Sequence, residues 1–181
     1  MILYLGKGTV MIARKFLKLQ LKWQSLLHSK GYMKTYNRYL RLCGVDVQGS
    51  VKYIDPTVYV DTGYGDRIHI GDNCVISIRS ILLVHDYAPE CGMCSLGMGN
   101  PAQEKKRVED VYIGDNVFIG AGCIILPGTR IGDNCIIGAG TVCSGTIPEN
   151  SVVVGDRWKV IRKTTDWAKE KMDMAQEKEG V

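Results

Sequence analysis

A period of six residues governs most of this chain. Written from Ile113 in sixes, it reads IGDNVF, IGAGCI, ILPGTR, IGDNCI, IGAGTV, CSGTIP. The first place is Ile in five units and Cys in the last. The second is Gly or another small residue in five of the six, and the fourth is Asn or Gly in five. Upstream, IGDNCV at 70–75, ISIRSI at 76–81 and LLVHDY at 82–87 keep the same frame. A helix repeats every 3.6 residues and a half-buried strand every 2, so neither accounts for six. A flat-sided solenoid does. Each hexapeptide makes one short strand and one turn, and three of them make a triangular coil. The aliphatic first place then points inward, with Ile113 over Ile131 and Ile119 over Ile137, 18 residues apart. Gly and Asn are expected where the backbone needs a positive φ.

Composition agrees with such a core. Gly is abundant at 21 residues and Phe is scarce at 2, so large aromatics do not fill the interior. Cys74, Cys123 and Cys135 each occupy the fifth place of a unit, which marks them as small core packers. Cys91 and Cys94 form a CxxC, but no second pair follows, so reduced thiols are expected there and no metal. No apolar run approaches the roughly 18 residues of a membrane span. The greasy start, MILYLGKGTVMIARK, has no basic opening and no small-residue cleavage site. A cytoplasmic protein is expected, with peripheral contact at the inner face of the membrane as an extension of that reading.

The hexapeptide frame breaks after Tyr87. Residues 88–107, APECGMCSLGMGNPAQEKKR, contain no unit, and the frame resumes near Val108. A long excursion inside a solenoid is usually functional or disordered, and its Gly, Met and charged content suggests a mobile flap. His85 stands at the lip of a coil where this excursion begins, beside Asp86. Of the other two histidines, His28 lies in a helical region and His69 just precedes the inward Ile70, so surface or packing roles are expected for both.

These residues carry a resemblance. The frame resembles the hexapeptide-repeat acyltransferases, the sugar, maltose, galactoside and capsular polysaccharide O-acetyltransferases among them, over roughly residues 45–163. The resemblance implies a mainly β fold, a left-handed parallel β-helix. It also implies acetyl-CoA as co-substrate and a hydroxyl of a sugar or glycan as acceptor, with serine or an antibiotic hydroxyl on the same fold, or a non-catalytic membrane-recruited scaffold, as the alternatives. The ending IPENSVVVGDRWKVIRK resembles the family's exit from the β-helix, with Asp-Arg-Trp where Asn-Pro-Ala is usual. A segment of the form I-L-x-H-D carries the family's catalytic histidine, which implies His85 as general base, with Asp86 as a candidate to hold its other nitrogen. Some relatives carry an asparagine before the repeat that leads to the histidine, where this chain reads VYVDTGYGD with Asp61. For the acyl donor, the resemblance implies backbone contacts at Ala121 and Ala139 and a polar contact at Ser144. Lys159 and Arg162 would meet the nucleotide phosphates, and Trp158 could cover the adenine. Some sugar acetyltransferases have a lysine where this chain has Gly145. The resemblance further implies a homotrimer, with CoA between neighbouring β-helices and His85 of one chain facing CoA held by the next.

The amino-terminal part is a separate object. Residues 1–44 carry nine basic side chains and no acidic one, while the rest of the chain is acidic on balance. Ile12, Phe16, Leu19, Trp23 and Leu26 share a helical face, and Tyr32, Tyr36, Tyr39, Leu40 and Cys43 form a second stripe after Gly31. Two amphipathic helices covering the first coil are expected, because an open solenoid end exposes strand edges and apolar core. Their basic face is either solvated, or, through residues 9–30, a contact for anionic lipid. Nucleic acid is not expected, since no recognition motif accompanies the charge. The organisation read from the sequence is therefore a helical cap at 1–44, a β-helix at 45–163 with an insertion at 88–107, and a charged helical tail at 164–181. Metal-dependent hydration chemistry of the carbonic-anhydrase kind needs three ligating histidines, two of them about one hexapeptide apart. His28, His69 and His85 offer no such pair.

Overall fold

The computed structural model describes residues 7–27, 29–95, 106–155, 159–163 and 166. Short parallel strands stack into three walls of a left-handed β-helix. The first wall comprises Asp46–Val47, Ile68–Ile70, Val111–Ile113, Arg130–Ile131 and Thr146–Ile147. The second comprises Tyr53–Ile54, Val75–Ile76, Phe118–Ile119, Ile136–Ile137 and Ser151–Val154, closed by an antiparallel strand, Lys159–Lys163. The third comprises Tyr59–Val60, Ile81–Leu82, Ile124–Ile125 and Val142–Cys143.

The register follows the six-residue frame. Ile113 lies beside Ile131 and Ile119 beside Ile137. Ile119, Ile125 and Ile137 are fully buried, as are Cys74, Cys123 and Cys135. The two glycine-rich places of the unit turn out to serve different needs. The fourth place takes positive φ: Asn116 at 55°, Asn134 at 56° and Gly122 at 67°. Asn tolerates this left-handed conformation better than most side chains. The second place does not take it. There the constraint is close approach, since a Cβ on Gly120 would lie 2.6 Å from the backbone N of Ala139 in the next coil. The fourth-place asparagines also link the coils, Asn73 to Asn116, Asn116 to Asn134 and Asn134 to Asn150, through amide hydrogen bonds of 2.8–3.1 Å.

The spacing between stacked residues departs from 18 chiefly at one edge of the prism, where the third wall turns into the first. Ile70 and Ile113, neighbours in the first wall, are separated by the whole excursion. At the same edge one coil earlier, a 3₁₀ turn at Thr62–Arg67 is inserted. One edge thus collects the irregular segments that the regular walls hold in place.

Two helices stand before the first coil, α1 (Lys7–Leu26) and α2 (Tyr32–Leu42). α2 covers the open end. Leu40 is fully buried, the Tyr32 hydroxyl donates to Ile54 O at 3.0 Å, and Asn37 exchanges two 3.0 Å hydrogen bonds with the backbone of Val51. An uncapped strand edge would leave those groups without partners. α1 departs from the sequence expectation. It packs inward through Leu17 and Leu21, while Ile12, Phe16, Leu19, Trp23 and Leu26 all point outward. The stripe with helical spacing is real, but among the described residues it covers nothing. The expected helix at 164–181 lies almost wholly outside the described residues.

Candidate active site

The irregular edge carries His85. Immediately after the third-wall strand Ile81–Leu82, the chain leaves the prism. His85–Asp86 pairs antiparallel with Arg107–Val108 as a two-stranded ribbon, and a helix, α3 (Ala88–Ser95), follows. The excursion expected to be a flap therefore opens with ordered structure. Its stretch 96–105 lies outside the described residues. Val84 is fully buried, so alternation along the strand turns His85 outward, leaving its side chain 26% exposed.

The group that holds the imidazole is Asp61. Its Oδ2 makes a close hydrogen bond with Nδ1 of His85. Asp61 ends the third-wall strand of the preceding coil, where its N–H donates to Leu82 O at 3.2 Å. Its side chain is only 4% exposed. The turn that follows is pressed against the end of α2, since a Cβ on Gly65 would lie 1.9 Å from Cys43 O. A buried carboxylate one rung below the histidine is thus fixed by backbone packing before any substrate arrives. Asp86 takes another part. Its Oδ1 accepts from the Ala88 N–H at 2.8 Å, at the start of α3, so the expectation that it holds the histidine is corrected. Adjacent residues on an extended strand point to opposite faces, which keeps the Asp86 carboxylate off its neighbour's ring.

With Nδ1 occupied, Nε2 is the nitrogen left for chemistry, and no hydrogen bond to it forms among the described residues. Two tyrosines bracket the ring, with centroid distances of 5.1 Å for Tyr64 and 5.5 Å for Tyr87. Lys106, returning from the excursion, donates to the Tyr64 hydroxyl at 2.6 Å and lies over both rings. Tyr64 and Lys106 were not singled out from the sequence. Only the tertiary fold brings residues 42 positions apart together here. Asp61 had a weak signal, as the residue standing where some relatives carry asparagine. A carboxylate on Nδ1 selects the tautomer whose Nε2 lone pair faces outward, as a general base requires.

The remaining expected site residues lie elsewhere. Ala121 and Ala139 stack on the edge between the second and third walls, joined by a 2.8 Å hydrogen bond from Gly140 N to Ala121 O. Among the described residues, neither alanine N–H donates to a backbone acceptor. Ser144 sits on the histidine's edge, two coils further on, as the register Leu82–Ile125–Cys143 requires. Lys159 is exposed at the start of the closing strand, opposite Val154, and Arg162 pairs with Val152 in the same ribbon. Trp158 lies outside the described residues. Within one chain, then, the third wall separates His85 from the two alanines.

Two other features are structural. His69 is held between Asp46 and Asp110 at 3.1 and 3.4 Å and stacks on Tyr112 with a centroid distance of 4.3 Å. Cys91 and Cys94 are exposed free thiols on α3. No group of three His, Cys, Asp or Glu among the described residues is arranged to hold a metal ion.

Comparison with known proteins accords with this architecture. The family described as Bacterial transferase hexapeptide (six repeats) matches residues 110–145, and the hexapeptide repeat of succinyl-transferase matches residues 131–160. A putative acetyltransferase of Saccharomyces cerevisiae, YJL218W, is 39% identical over 62% of this chain and 63% of its own length. The galactoside O-acetyltransferase of Escherichia coli K12 is 34% identical over 65% of this chain and 64% of its own. The chain thus spans a little under two thirds of the length of these relatives. The crystal structure of a maltose O-acetyltransferase from Clostridium difficile 630 superimposes with a TM-score of 0.58 at 26% identity, covering 85% of this chain and 87% of that one. By its repeat, its coil and these likenesses, the chain is similar to the hexapeptide-repeat acyltransferases, the galactoside and maltose O-acetyltransferases among them.

Proposed function

We propose that this protein is an acetyl-CoA-dependent O-acetyltransferase acting on a hydroxyl of a sugar or glycan, with His85 as general base and Asp61 as the residue that orients it. The observation that carries the reading is the hydrogen bond between His85 Nδ1 and the buried Asp61 carboxylate, at the edge where the chain leaves the prism. Nε2 of the neutral ring takes the proton from the acceptor hydroxyl as its oxygen attacks the thioester carbonyl. The developing imidazolium is stabilised by Asp61. The tetrahedral intermediate then collapses with cleavage of the carbon–sulfur bond, and the imidazolium returns the proton to the departing CoA sulfur. The products are the acetyl ester and free CoA. The names of the relatives, galactoside and maltose O-acetyltransferase, support an acetyl group and a sugar hydroxyl.

The acyl donor would lie along Ala121 and Ala139, whose backbone N–H groups are available to a pantetheine arm. Lys159 and Arg162 would meet its phosphates, with charge-assisted contacts of the usual kind. Because the alanines and His85 occupy different edges of one prism, a complete site needs a second chain. A homotrimer, a closed ring of identical interfaces, supplies one at each seam. A cleft of about 400 Å³, lined in part by Tyr36, Tyr59, Thr62 and Gly63, adjoins the turn that carries Asp61 and Tyr64 and could receive an acceptor.

The test is CoA thiol release with a panel of sugars, serine and streptogramin acceptors, using wild type and His85→Ala. General-base help is typically worth about 10²–10⁴ in rate. His85→Ala is expected to lose that much turnover while CoA affinity and trimer mass stay unchanged. Turnover within tenfold of wild type would overturn the base assignment. Preference for serine or an antibiotic would move the acceptor class while leaving the donor chemistry intact.

A further inference from the structure

We propose that α1 lies flat on an anionic lipid surface, presenting the apolar face that the described residues leave uncovered. Ile12, Phe16, Trp23 and Leu26 are 67%, 66%, 59% and 68% exposed, and Leu19, on the same face, is 56% exposed. Their 4-3-4-3 spacing makes one continuous stripe, about 21 Å long at 1.5 Å per residue. The opposite face of the helix is already satisfied by Leu17 and Leu21 against the cap. A helix that needed only to cap the solenoid would have one apolar face, and this one has two. A stripe this long, holding Phe and Trp together, exceeds the scattered apolar residues of an ordinary surface.

Charge selects the occupant. α1 contains Lys7, Arg14, Lys15, Lys18 and Lys22 and no Asp or Glu, and residues 27–44 continue without an acidic side chain. Lys15, Lys18 and Lys22 flank one side of the stripe on the helical wheel. A second copy of the chain docked on this face would bring the same cations together, and like charges oppose that pairing. A surface of anionic headgroups over acyl chains matches both the stripe and its flank, and it gives the Trp23 indole its preferred interfacial position. Although 20 residues long, the helix is too polar to cross a bilayer, so it would lie in the interface plane. The proposal does not depend on the acetyltransferase reading.

The experiment is co-sedimentation of the full chain with vesicles of phosphatidylcholine alone or of phosphatidylcholine and phosphatidylglycerol in equal parts. Binding to the anionic vesicles is expected to be at least tenfold stronger than to the neutral ones, and to weaken in 0.5 M salt as the Debye length shrinks. The Phe16→Ser/Trp23→Ser variant is expected to lose at least tenfold in binding with an unchanged circular dichroism spectrum. Lys15→Glu, which leaves the stripe intact, should lose severalfold. Equal or absent binding to the two vesicle types would overturn the proposal, as would an unaffected double variant. It would also fail if light scattering showed that Phe16→Ser/Trp23→Ser breaks an assembly of the protein, because the face would then join copies of the chain.

Discussion

The carboxylate of Asp61 lies one rung of the solenoid from the imidazole of His85 and accepts its Nδ1–H, although 24 residues separate them in sequence. The relationship is built by the parallel register of the third wall, in which Val60 pairs with Leu82. Asp61 directly follows its strand, and His85 stands three residues beyond Leu82, where the chain turns away from the wall. A shift of one rung in either would separate them by about 4.8 Å more.

That pairing predicts a graded response at position 61. Asp61→Asn keeps an oxygen that can accept from Nδ1 but removes the charge that stabilises the imidazolium. Asp61→Ala removes both. Turnover should fall in the order wild type, Asn, Ala, with Ala down by about 10²–10⁴ and KM for acetyl-CoA little changed. Steady-state thiol release reads both parameters. Equal activity of Asp61→Ala and wild type would remove Asp61 from the site.

The two glycine places of the hexapeptide predict opposite tolerances. Gly122 has φ 67° and nothing within 4 Å of where a Cβ would lie, so Gly122→Asn should be nearly neutral, as the fourth-place asparagines suggest. At Gly120 any Cβ would meet the backbone N of Ala139 at 2.6 Å. Gly120→Ala should therefore cost about 1–3 kcal/mol, the usual range for overpacking. Thermal unfolding of the pair of variants measures the contrast. An unchanged midpoint for Gly120→Ala would refute the close-approach argument.

Cysteine reactivity should divide by position. Five of the seven thiols are buried: Cys43, Cys74, Cys123, Cys135 and Cys143. Burial pushes Cys74 up to about 11 and Cys143 up to about 12. A raised thiol pKa means the protonated, unreactive form persists at pH 8, in addition to the steric block. The native protein should therefore react with a thiol reagent at Cys91 and Cys94 alone, and the five others only after unfolding. Cys94 should be the slower of the pair, since desolvation and its hydrogen bond to Glu90 raise its pKa. Mass spectrometry of the labelled chain identifies the sites. Rapid native labelling of Cys143 would contradict the packing.

By itself the sequence determined the coil. The first-place isoleucines, fifth-place cysteines and fourth-place Asn and Gly repeat a local instruction, and a local instruction repeated every six residues survives as a global shape because each coil packs only on its neighbours. The position of His85 at a break in that frame was legible for the same reason. What the tertiary structure alone decided is everything that depends on which rungs become neighbours across irregular segments. Asp61 rather than Asp86 reaches the ring because its strand ends one coil below. Tyr64 and Lys106 meet beside the ring because two insertions emerge from one edge. The outward turn of the Ile12–Leu26 stripe was likewise hidden, since helical spacing defines a face but not what it meets. Leu17 and Leu21 won the inward side through the shape of the cap, a contact between segments that no periodicity encodes.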